Sequence, residues 1–167
     1  MHFRGRVYFP AFVITRRAAS SYTVAMRVYF AGAILGGREN AAVFRHVVDT
    51  LQALGHTVPT THVANPDVIH EERGRSPRAV YERDMAWLRE SDALIADVST
   101  PSLGVGFEIG EALQQGIPVL CLHRAGLSVS KMITGNPHPR LIVATYRDIP
   151  ELDLHLEHFL ARLSTGE

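Results

Sequence analysis

Lysine is almost missing from this chain: Lys131 is the only one in 167 residues. A Schiff-base lysine therefore has almost nowhere to be, and with no G-K-[ST] sequence a Walker nucleotide site is excluded. Cysteine is as scarce. Cys121 stands alone in the apolar run PVLCL, so no disulfide closes within one chain; the setting suits a reducing cytoplasm, with Cys121 a buried strand residue. No apolar run approaches the ~18 residues that span a bilayer. Acids are missing from residues 1–25, which carry Arg4, Arg6, Arg16 and Arg17 for a net +4 and leave residues 26–167 at −4. An acidic body without a basic stripe argues against a nucleic-acid partner. Arg-bearing and acid-free, residues 1–25 superficially resemble an organelle presequence. They read better as an upstream extension or a misplaced start, because MRVYFAG opens a strand so cleanly at Met26.

What remains is ample for one domain, since 46% of the residues are apolar and the length allows a sizeable core. From residue 26 to about 165, short apolar runs alternate with helical periodicity. RVYFAG (27–32), TVPT (57–60), ALIADV (93–98), PVLCLH (118–123) and RLIVATY (140–146) read as strands. Residues 38–55, 78–91, a stretch ending near Gln115, and 149–163 read as helices. Five strands alternating with helices predict an α/β fold, a five-stranded parallel sheet in a flavodoxin-like, Rossmann-like three-layer sandwich of order 2-1-3-4-5. Ligands in such sheets sit beyond the carboxyl ends of the strands. There the loops after the first and third strands, AGAILGGRE and STPSLGVG, would meet. The first is not G-x-G-x-x-G, and Thr60 and Thr61 stand where a ribose-binding acid would end the second strand, so a dinucleotide site fails.

Two carboxylates stand out. Asp84, four residues after Val80 and three and four before Trp87 and Leu88, falls on the apolar face of its helix, while Arg83 falls elsewhere. A carboxylate there is either paired or at work. Glu108 lies among three glycines (Gly104, Gly106, Gly110) that suggest a close approach to the backbone. With a helix starting near Gly106, Glu108 sits in its first turn, where the helix dipole would lower its pKa and ready it as a nucleophile. An ordinary acid at a helix start is the plainer alternative, with Glu111 a solvated neighbour. His155 and His158 lie three apart on the last helix without a carboxylate or cysteine cluster, so no metal site is expected.

VYFAGAILGGRE, THVA, HEERG, YERDMAWLRESDALIADVSTPSLGVGFEIGEA, PVLCLHR and VSKMITG together resemble the 2′-deoxynucleoside 5′-phosphate N-hydrolases of the nucleoside 2-deoxyribosyltransferase superfamily, over about residues 27–159. The resemblance implies that Glu108 attacks the anomeric carbon and forms a covalent glycosyl intermediate. It implies that Asp84 handles protons at the leaving base and that Tyr29 positions the nucleophile, as in retaining glycosidases. Substrate would be held by Gly32, Ala33, Gly36, Gly37 and Arg38 of the first loop, by His62 at the end of the second strand on the base side, and by Ser102 and Gly104 at the phosphate. Ser130 would reach that phosphate from the neighbouring subunit of a homodimer. No metal or organic cofactor is implied. The expectation is a cytoplasmic hydrolase of deoxynucleoside monophosphates, with a deoxyribosyltransferase or a non-catalytic nucleotide sensor as alternatives. Ala33 and Leu35 stand where the family commonly has serine and arginine, which weakens the phosphate pocket.

Overall fold

The structure, a computed structural model, describes residues 24–35 and 39–166. Gly36, Gly37, Arg38 and the 1–25 extension apart from Val24 and Ala25 lie outside the described residues. Strands β1 (Val28–Ala31), β2 (Ala93–Asp97), β3 (Val119–Arg124) and β4 (Leu141–Tyr146) form one parallel sheet in that order. All residues of β1 and β2 are buried, as strands covered on both faces must be.

Among the described residues the sheet has four strands where five are expected, and a proline accounts for the difference. TVPT contributes one parallel bridge, Thr57 to Arg27, in which Thr57 N–H donates to Met26 O at 2.9 Å and Val28 N–H to Thr57 O at 2.8 Å. The next bond of that ladder needs the N–H of residue 59, and Pro59 has none. The chain turns away, and Phe30 N–H donates to the Thr60 hydroxyl at 2.9 Å instead of to a strand carbonyl. Residue 57 still lies beside β1, at the edge that the expected order gave to the second strand.

Helices α1 (Ala41–Ala53) and α6 (Ile149–Thr165) cover one face of the sheet, packing on Val28, Phe30, Leu120 and Leu122. Helices α3 (Pro77–Arg89) and α4 (Leu103–Gln114) cover the other, on Ala31, Leu94, Ala96 and Cys121. Strand alternation puts Tyr29 on this second face, opposite its neighbours Val28 and Phe30. The Cys121 thiol is fully buried there and pushed up to about 12 by burial. It is an inert core residue.

Periodicity did not announce three short elements: a 3-10 turn at Thr61–Ala64, α2 (Val68–Arg73) and α5 (Lys131–Thr134). The first two fall in the polar connection before α3. That helix begins cleanly, with Pro77 at its first position and the Ser76 hydroxyl accepting from Ala79 N–H. At the carboxyl ends of β1 and β2 the two glycine-bearing loops do meet: Asn40 Nδ2, buried, donates to Thr100 Oγ1 at 3.3 Å.

Candidate active site

Tyr29, buried on β1, donates its hydroxyl to Glu108 Oε1 at 2.7 Å across a sequence distance of 79 residues. Helix α4 brings the carboxylate there because Val105, Ile109 and Ala112 anchor one stripe of it in the core, leaving Glu108 half-buried beside that stripe. The helix starts earlier than expected. Ser102 is its N-cap, its hydroxyl accepting from Val105 N–H at 3.4 Å, so Glu108 lies in the second turn rather than the first. The dipole is weak that far in, and burial dominates: the Glu108 carboxyl is raised from 4.5 to about 7. The Tyr29 hydrogen bond lowers it, the Asp84 charge raises it and the Arg83 charge lowers it. The expected lowering of the Glu108 pKa by the helix dipole is thus corrected to a rise caused by burial. Burial and the neighbouring Glu108 charge push the Tyr29 phenol far above its ordinary range, so it remains a hydrogen-bond donor throughout.

Asp84 is half-buried on α3, as its spacing indicates, but it is not alone. Arg83, read from spacing as lying off that face, is buried to the same degree. Its Nε donates to Asp84 Oδ1 at 2.8 Å and its Nη1 to Glu72 Oε1 of α2 at 2.7 Å. The guanidinium carbon stands 5.0 Å from the Trp87 ring centroid, and Nη2 lies 3.4 Å from His62 Nε2. A helical wheel assumes one covered side. Here the 3-10 turn and α2 cover a second side of α3, which is why Arg83, Glu72 and Trp87 were not read as site residues. His62 ends no strand; it sits in the 3-10 turn, half-buried, 5.7 Å from Trp87 between ring centroids. Burial, then the Arg83 charge, lowers its pKa, against the Asp84, Glu72 and Glu71 charges that raise it.

The remaining candidates divide. A Cβ on Gly32 would come within 2.8 Å of the Phe44 ring, so close packing of α1 already requires this glycine. Ala33 is buried and Leu35 is exposed. Gly104, Gly106 and Gly110 lie exposed on α4, and a Cβ on either of the last two would meet nothing among the described residues. Ser102 and Ser130 line a groove of about 760 Å³ with Thr100, Ser128 and Lys131, and Glu108 is not part of its lining. Ser130 caps α5, accepting from Met132 N–H at 3.3 Å. Leu103 and Met132, both largely exposed, flank the same groove. Glu111 faces outward to Gln115, and His155 Nε2 lies 2.9 Å from the Thr145 carbonyl. Among the described residues no three His, Cys, Asp or Glu side chains gather as a metal site.

Residues 28–148 match the family model described as nucleoside 2-deoxyribosyltransferase. A Methanosarcina barkeri protein provisionally named 2′-deoxynucleoside 5′-phosphate N-hydrolase 1 is 42% identical over 137 residues, 82% of this chain and 86% of its own. The mouse 5-hydroxymethyl-dUMP N-hydrolase is 43% identical over 122 residues, 71% of this chain and 70% of its own. The solved Clostridium botulinum CMP N-glycosidase shares the fold at a TM-score of 0.58 and 21% identity, over 78% of this chain and 98% of that one.

Proposed function

Since the chain belongs to the nucleoside 2-deoxyribosyltransferase family, we propose that it is an N-glycosidase that hydrolyses 2′-deoxynucleoside 5′-monophosphates to free base and deoxyribose 5-phosphate. Relatives named as N-hydrolases at about two-fifths identity support this. One observation carries it: the buried Tyr29 hydroxyl bonded to Glu108 at 2.7 Å, with Asp84 near enough for its charge to raise the Glu108 pKa.

In the proposed reaction a Glu108 oxygen attacks C1′, an ester forms, and the N-glycosidic bond breaks. The bonding pair goes to the base, with Asp84 managing the proton that the base takes up. Tyr29 holds the other end of the attacking carboxylate and fixes its rotamer. Water then attacks the same carbon and gives a proton to Asp84, while the C1′–O bond to Glu108 breaks, releasing the sugar phosphate and restoring the carboxylate, which is retaining-glycosidase logic applied to a C–N bond. His62 and Trp87 line the base side. Ser102 and Gly104 at the start of α4 meet the phosphate, where a helix N-terminus favours an anion. No step calls for a metal or organic cofactor. The enzyme would work in the cytoplasm, consistent with a sole, unpaired cysteine; no described helix is long and apolar enough to cross a membrane.

The site is completed by a second copy. Ser130 lies in its own chain along a groove that Glu108 does not line, and exposed Leu103 and Met132 flank that groove. A homodimer that covers these side chains would carry Ser130 to the partner's phosphate. The test of the whole reading is direct: purified protein is incubated with deoxynucleosides and their monophosphates, and free base is followed by chromatography. Base release from a monophosphate without an acceptor base is the expected result. Sugar transfer to an added base, with no hydrolysis, would replace this reading by the transferase.

A further inference from the structure

Arg83 has no part in the chemistry above, yet it is the most heavily bonded side chain of the site. Its guanidinium uses Nε on Asp84 and Nη1 on Glu72, stands 3.4 Å from His62 through Nη2, and lies over the Trp87 ring. Only 16% of it is exposed. Among the described residues, the groups that face Glu108 are Tyr29 from β1 and Asp84 and Arg83 from α3. Behind Arg83 stand Glu72 from α2 and His62 from the 3-10 turn. Arg83 is therefore the sole cation among them, bonded to Asp84 and near enough to Glu108 for its charge to act there, with a third carboxylate, Glu72, sharing its guanidinium.

We propose that Arg83 is a positioning residue that sets the charge balance of the paired carboxylates: it aims Asp84 by the Nε bond and offsets the repulsion between Asp84 and Glu108, while Glu72 attenuates that effect and fastens α2 over the base side. This rests on the reading of Glu108 and Asp84 as the working carboxylates. Its physical content does not depend on turnover, because a cation held beside a buried carboxyl favours the ionised form and its removal disfavours it. The same direction is carried by the Arg83 contribution at Glu108, which lowers the pKa that burial raises.

The discriminating measurement is the ¹³C-NMR titration of the Glu108 side-chain carboxyl in the free, full-length protein, assigned by its loss in Glu108→Gln. Arg83→Gln, which keeps a polar side chain but removes the charge, should move the midpoint upward by roughly half a pH unit or more. Glu72→Gln, which leaves the guanidinium unshared, should move it downward. Arg83→Lys, which keeps the charge, should stay near wild type. A purely structural role, in which both residues merely hold α2 on α3, moves the two Gln variants in the same direction. That result, an unmoved Arg83→Gln midpoint, or Arg83→Lys tracking Arg83→Gln overturns the proposal. In turnover the acid limb of kcat/KM should follow, so that at a pH below both midpoints Arg83→Gln retains about threefold less of its plateau rate than wild type, the factor that half a unit gives. If the wild type releases no base from any deoxynucleotide, the functional reading fails while the titration still decides the role of Arg83.

Discussion

At the scale of single residues, Glu108 is held at odds with stability. Its carboxyl has a folded-state value of about 7 against an ordinary 4.5, with burial the main cause. Because the folded state binds the proton more tightly than the unfolded chain, the associated stability is fully present below about 4.5 and is lost as pH rises through 7. The loss by pH 8 is about 3 kcal/mol on an order-of-magnitude reckoning. Glu108→Gln should therefore be inactive and better folded at once. Turnover should drop by at least ~10³, as expected for removing a covalent catalyst. Urea melts at pH 8 should show the variant gaining stability over wild type, and the gain should vanish near pH 4. Near-normal turnover in this variant would remove Glu108 from the mechanism. For the wild type, kcat/KM should fall on the acid side with a midpoint near 7, since an attacking carboxylate must be ionised.

At the scale of elements, α4 carries a contradiction that the described residues do not resolve. Glycines 104, 106 and 110 lie in a 12-residue helix, where each costs about 1 kcal/mol relative to alanine. None has a positive φ, and around a Cβ on Gly106 or Gly110 the described residues leave open space. Among the described residues, then, no packing demands glycine there, unlike Gly32 against Phe44. Gly110→Ala should raise the stability of the isolated subunit by up to ~1 kcal/mol, read from denaturant melts at concentrations where the subunit is monomeric. A destabilised monomer would mean that the helix needs the glycine for its own sake. Ser102 shows the opposite economy, since one hydroxyl caps α4 and lines the groove.

At the scale of the whole molecule, the proposed dimer makes a prediction that no single variant can test. Glu108→Gln and Ser130→Ala chains each build impaired homodimers. Mixed and allowed to exchange, they form heterodimers in which one site receives intact Glu108 from one chain and intact Ser130 from the other. Activity of the mixture should exceed that of either parent. Demonstrated exchange without a gain places Ser130 in cis or outside the site.

The sequence by itself determined the parallel α/β sheet, the order of its strands, the meeting of the two glycine-bearing loops and the burial of Asp84 and Cys121. All of these follow from local rules: apolar periodicity, strand alternation and the start that Ser76 and Pro77 impose on α3. Membership of the family was legible in the same stretches, in D-x-x-W-L and PSLGVGFEIG above all. Tertiary structure alone decided the rest. The fifth strand shrank to one bridge because Pro59 falls where the ladder next needs a donor, a consequence of register that composition does not carry. Arg83 entered the site because two short elements cover a second side of α3, and helical spacing assumes only one covered side. The charge state of Glu108 was decided by burial against Tyr29 and Asp84. Desolvation sums over everything that excludes water around a group, and its neighbours lie 79 and 24 residues away along the chain.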